Sequence, residues 1–141
     1  MNDLPTLSTQ DAQQLPALQL AYIGDAVYEL AIREHLLNLG HIRTNQLHQE
    51  TVHWVQAKAQ AMAAHLLLPQ LTEEEAAIFY RGRNVKPLRI PKNASVSEYC
   101  YSTALEALVG YLYLTGQKDR LQTLLQIILL NKPHEEQTQG G

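Results

Sequence analysis

The chain has 141 residues, a formal net charge of −3 and a single cysteine, Cys100. That length suits one domain around one core, the charge excludes a uniformly basic nucleic-acid binder, and the lone cysteine excludes an internal disulfide and a cysteine-rich zinc site. Apolar residues make up 45% of the chain, yet no run reaches the length of a membrane span and the start Met1-Asn2-Asp3-Leu4-Pro5 lacks a basic, apolar leader, so the expectation is a cytoplasmic protein.

Residues 1–15 are polar and contain a proline, which predicts a loose N-terminal extension. From Pro16 to Asn38 the pattern is helical. Leu20, Ile23, Val27, Leu30 and Ala31 form an apolar stripe at the 3.6-residue period, Pro16 marks the start, and Gly40 follows the end. Asp25 falls on the other side of this helix, with Leu18, Tyr22 and Glu29. Thr44 or Asn45 caps a second long helix predicted to run to Leu67, with Leu47, Val52, Val55, Ala59 and Met62 facing inward and Pro69 ending it. Thr72-Glu73-Glu74-Glu75 has the form of a capping box and opens a shorter helix to Arg83. Residues 84–96 hold Pro87 and Pro91 without helical period, and read as a loop. Ser95 or Ser97 caps the next helix, which runs to Leu114, and Lys118 to Leu130 forms the last. The polar segment 131–141 is predicted to be a flexible tail. No strand and no repeat is visible, so the fold class is all-α, a single domain of five to seven helices over residues 16–130.

Two carboxylates carry most of the chemistry. Asp25 lies in the run Leu20 to Ile32 and Glu106 in the run Ser102 to Leu114, where nearly every residue is apolar or small and neither run holds a Lys or Arg. An ionised carboxylate left unpaired in such surroundings is expensive. It persists beside a cation: either a metal ion or a distant base such as Lys58 or Arg33. Magnesium needs only one or two carboxylates together with phosphate oxygens, and Asp25 and Glu106 could supply them if their helices cross near Gly24 and Gly110, where small residues allow close approach. Glu29 stands one turn after Asp25 and also four residues before Arg33, so it either faces the same space or forms a helix salt bridge.

A second feature is a local excess of positive charge. Five of the eleven Lys and Arg residues, Arg81, Arg83, Lys86, Arg89 and Lys92, fall within twelve positions that contain no acid. Phosphate contacts would account for such a patch in an acidic chain; a solvated loop kept soluble by its charge is the plainer account. The segment has no aromatic residue on which single-stranded bases could stack, which favours a duplex read by shape and backbone. The six histidines show no metal-ligand spacing, and Cys100, between Tyr99 and Tyr101, reads as a packing position in a helix.

These segments resemble those of the ribonuclease III family. Tyr22-Ile23-Gly24-Asp25-Ala26-Val27 is similar to the core of its signature, and Leu105-Glu106-Ala107-Leu108-Val109-Gly110-Tyr111-Leu112-Tyr113-Leu114 to its second acidic motif. The short chain, Arg81-Gly82-Arg83-Asn84 and Val55-Gln56-Ala57-Lys58-Ala59-Gln60-Ala61 narrow the resemblance to its reduced bacterial form, Mini-III. Larger members carry four acids around the metal; at the other two positions this chain has Ala21 and Thr103. The resemblance implies a homodimeric endoribonuclease that cleaves double-stranded RNA. Asp25 and Glu106 would be its catalytic residues and would bind Mg²⁺, with Mn²⁺ as a substitute, to activate water. Arg81, Arg83, Asn84, Lys86, Arg89, Lys92 and Lys58 become the RNA-binding candidates, and Glu29 and Thr103 the candidates for supporting the site. The implied substrate is a large-subunit ribosomal RNA precursor, with a ribosomal protein as a further partner, and the helix from Tyr22 to Ile32 would lie near the dimer interface. The competing reading is a non-catalytic RNA-binding module that has kept the fold, which the loss of two family acids would suit.

Overall fold

A computed structural model describes residues 6–131. Seven α-helices follow in order: α1 Thr9–Gln13, α2 Ala17–Leu39, α3 Thr44–Val55, α4 Ala57–Leu67, α5 Glu73–Arg83, α6 Val96–Leu114 and α7 Lys118–Leu130, with a short 3₁₀ turn at Leu68–Gln70 after α4. The described residues contain no strand, and none of their helices is long and apolar enough to cross a membrane. The expected all-α domain is what forms.

α6 is the central element. From Ser102 to Leu112 every residue but Glu106 is buried, because α2, α4 and α5 all pack against this helix. Its start is fixed by a complete capping box: the Ser95 side chain accepts from the Glu98 amide and the Glu98 carboxylate accepts from the Ser95 amide, both at 3.0 Å. Thr72 and Glu75 form the second capping box, at the start of α5. Glu75 also accepts hydrogen bonds from Arg120 of α7 at 2.8 and 2.9 Å, tying α5 to α7. Gly40 ends α2 in the left-handed conformation, at φ 78°, where a side chain would be strained.

Three expectations need correction. The extension before residue 16 is not all loose. Ser8 caps α1 by accepting from the Asp11 amide at 3.0 Å, and the helix is too short to show a period, burying only Ala12. The long helix expected from Thr44 to Leu67 is two helices. Gln56 takes an extended conformation (ψ 155°), and α4 turns to lie its alanines on α6; in α3 the buried residues are Thr51 and Trp54, while Val52 is exposed. The buried line of α2 also differs from the expected stripe: it runs through Ala17, Leu20, Ala21, Gly24, Tyr28, Ile32 and Leu36, and Leu30 is 58% exposed. Counting large aliphatic residues misplaced the face, because α2 meets α6 through its smallest ones. The expected flexible tail lies, beyond Asn131, outside the described residues.

Candidate functional site

The helices α2 and α6 touch main chain to main chain. A Cβ placed on Gly24 would lie 1.7 Å from the carbonyl oxygen of Glu106, and one on Gly110 would lie 1.9 Å from that of Leu20. No residue with a side chain fits at either position without moving a helix. The crossing expected from the two glycines is therefore present, and it sets Asp25 of α2 beside Glu106 of α6.

The Asp25 charge acts directly on the Glu106 carboxyl. Asp25 is on the exposed side of α2 and Glu106 is partly buried. Burial, reinforced by the Asp25 charge, pushes the Glu106 carboxyl up to about 8, with the Gln60 side chain opposing. The ion pairs among the described residues, Arg33–Glu29 and Arg120–Glu75, lie elsewhere, so neither distant base anticipated for these acids, Lys58 or Arg33, compensates them. Two acids pressed together without a cationic side chain form a donor set of hard oxygens that suits a divalent ion. Two further groups face the same region. The hydroxyl of Tyr28 and the Nε2 of Gln60 are buried and complete no hydrogen bond. Burial and then the charge on Glu106 raise the Tyr28 pKa. Among the described residues no three His, Cys, Asp or Glu side chains converge on a metal position. Ala21 and Thr103 are both buried, and the Thr103 hydroxyl donates to the Tyr99 carbonyl at 3.1 Å.

The other sequence candidates divide. Glu29 is occupied by Arg33, whose Nε donates to it at 2.9 Å. Arg81 donates to the Gln13 and Leu15 carbonyls at 2.9 and 2.6 Å, so this guanidinium clamps the joint between α1 and α2; the expectation that it binds RNA took no account of that use. Arg83 lies over the Tyr80 ring at 4.5 Å and near that of Tyr101 at 5.9 Å, and its Nε donates to Asn84 Oδ1 at 3.1 Å. Lys86, Arg89 and Lys92 are exposed in the loop after α5, and Lys58 is exposed in the first turn of α4. Sequence reasoning gave no role to Tyr28 or Gln60. A signal for Gln60 was present: in the run Ala57 to Leu67 it is an uncharged polar residue among alanines.

The Ribonuclease III domain family matches residues 18–117. The chain is 54% identical to a Mini-ribonuclease 3 of Symbiobacterium thermophilum over 79% of its own length and 86% of that relative. It is 49% identical to one of Enterococcus faecalis, over 82% of this chain and 89% of the relative. Its fold superposes on a crystal structure of a Fusobacterium nucleatum protein with a TM-score of 0.77 at 30% identity, covering 86% of this chain and 98% of that one. With Asp25 and Glu106 brought together at the crossing where the family motifs meet, the chain belongs to the ribonuclease III family, in its Mini-ribonuclease 3 group, and is an endoribonuclease of that type.

Proposed function

We propose that the chain cleaves double-stranded RNA with Asp25 and Glu106 holding Mg²⁺. The observation that carries this reading is the uncompensated carboxyl pair at the Gly24–Gly110 crossing. When bound, the ion supplies Lewis-acid polarisation and charge neutralisation for phosphodiester hydrolysis, leaving a 5′ phosphate and a 3′ hydroxyl. Glu106 holds from α6, the helix whose residues from Ser102 to Leu112 are otherwise buried. Asp25, on the exposed side of α2, faces the space that an RNA backbone can reach. Mn²⁺, with the same preference for oxygen donors, serves as a substitute.

Lys86, Arg89 and Lys92 are the exposed cations that hold the RNA backbone, with Arg83, Asn84 and Lys58 as further contacts. A duplex presents two strands related by approximate twofold axes, so a symmetric pair of subunits can cut both. Leu18, Tyr22, Leu30 and Leu37 are exposed large apolar side chains of α2, and a second copy of the chain would cover them. The biological substrate in this reading is a large-subunit ribosomal RNA precursor, handled in the cytoplasm and presented with or without a ribosomal protein.

The test incubates the protein with a long RNA duplex and with a ribosomal precursor stem in Mg²⁺, beside Asp25→Asn and Glu106→Gln variants and an EDTA control. Cleavage by the parent alone, abolished by EDTA, is expected. Equal cleavage by the parent and both variants would remove these residues from the chemistry, and binding without cleavage in every sample would favour the non-catalytic reading.

A further inference from the structure

The buried residues of α4 are Ala59, Gln60, Ala61, Ala63, Ala64 and Leu67. All but Gln60 are apolar, and the four alanines let α4 lie close on α6. Gln60 is 2% exposed, and its Nε2 completes no hydrogen bond. A buried donor without an acceptor is costly and rare, so it calls for a partner that another arrangement of its neighbours provides. The neighbour is Glu106. The Gln60 amide is near enough to lower the proton affinity of that carboxyl while stopping short of hydrogen-bond geometry. The Tyr28 hydroxyl, whose pKa the Glu106 charge helps to raise, is a second buried donor without an acceptor. Asp25 is the charged neighbour of the Glu106 carboxyl.

We propose that Gln60 is a positioning residue for Glu106: its side-chain amide donates to one oxygen of the ionised carboxylate and so fixes the direction in which the other oxygen is offered to the ion. The inference rests on the metal reading given above and deepens it. Ionised, Glu106 has up to four acceptor positions, and one of them would satisfy the Gln60 donor. In the proposed arrangement the Glu106 side chain turns to offer that oxygen to Gln60. The amide is suited to this task because it is a donor without charge, so it orients the carboxylate and leaves its negative charge for the ion. Groups that orient metal-binding side chains in this way change metal affinity by roughly 10- to 100-fold when removed.

The measurement is Mn²⁺ binding to the RNA-free protein, followed by electron paramagnetic resonance, for the parent, Gln60→Met, Glu106→Gln and the double variant. Methionine keeps the length and nearly the volume of glutamine, so packing is preserved, and thermal unfolding in EDTA checks this directly. The expected result is Mn²⁺ affinity at least about tenfold weaker in Gln60→Met with the unfolding temperature held or raised. In the Glu106→Gln background the same change should add no further loss, because Gln60 acts through that carboxylate. A parent that binds Mn²⁺ while Gln60→Met binds it equally well overturns this inference alone. A parent that holds no Mn²⁺ overturns the metal reading and this inference with it. A loss of equal size in the Glu106→Gln background would show that Gln60 acts elsewhere and would also overturn it.

Discussion

Gly24→Ala tests the close crossing on which the site depends. The new Cβ would stand 1.7 Å from the Glu106 carbonyl oxygen, whereas ordinary contact begins at 3.4 Å. The obstacle is main chain, which has no rotamer to escape into, so α2 and α6 must part by roughly 2 Å; a gap of even about 1 Å forfeits up to half of the dispersion attraction between facing atoms. Two effects oppose one another. Helix propensity favours alanine over glycine by about 1 kcal/mol. Overpacking a core costs about 1–3 kcal/mol when side chains can shift, and a main-chain clash belongs at or above the top of that range. The net expectation is a loss of about 2 kcal/mol or more, near 8 °C in unfolding temperature for a chain of this size. Circular dichroism during heating, in EDTA, measures it. An alanine variant as stable as the parent, with propensity prevailing, would refute the close crossing and the placement of Asp25 beside Glu106 that follows from it.

Other outcomes follow from the same arrangement of helices. Glu106 has its carboxyl raised from an ordinary 4.5 to about 8 by burial and the Asp25 charge, so the folded state binds more protons than the unfolded one. Stability of the metal-free protein should then be highest below about pH 4.5 as far as this group is concerned, fall as pH rises to about 8, and level off above it. Each pH unit is worth up to about 1.4 kcal/mol; urea unfolding at pH 5 and pH 8 should show the slope in the parent and lose most of it in Glu106→Gln. Arg81→Met should destabilise the fold by about 2 kcal/mol through its two carbonyl partners and leave the salt dependence of RNA binding unchanged. Lys86→Ala, Arg89→Ala and Lys92→Ala together should keep stability within about 0.5 kcal/mol and reduce that salt slope by about one for each phosphate no longer neutralised; the reverse pattern would exchange the roles assigned to Arg81 and the loop. Tyr22→Lys with Leu30→Lys should convert a dimer to a monomer in analytical ultracentrifugation, and an unchanged sedimentation coefficient would place any interface elsewhere.

Much of this was legible in the residues because local chemistry decided it. The capping box at Thr72 is written within four positions and forms as written, and of the two serines open as the cap of α6 the structure uses Ser95. Gly24 and Gly110 announced a close approach because each interrupts a run of larger residues, and the approach is there. The break at Gln56 was not legible: neither Gly nor Pro marks it, and it exists because α4 must turn to meet α6. Partners distant in the chain stayed hidden for the same reason. Arg81 and the carbonyls of Gln13 and Leu15 are more than sixty positions apart, and charge alone grouped this arginine with the loop that follows it. Glu29 left two partners open, and the structure supplies Arg33.

The interruption at Gln56 divides one stretch of sequence into two with unequal freedom to vary. α3 buries two of its twelve residues, and α4 buries six of its eleven. Because the extended residue between them uncouples their faces, a substitution in α3 need not be transmitted along a continuous helix to the surface that α4 lays on α6. A saturation scan of Thr44–Leu67 should therefore change character at residue 56, tolerant before it except at Thr51 and Trp54, and restrictive after it. The register in which new variants of this protein can accumulate is set by one residue whose own side chain is exposed.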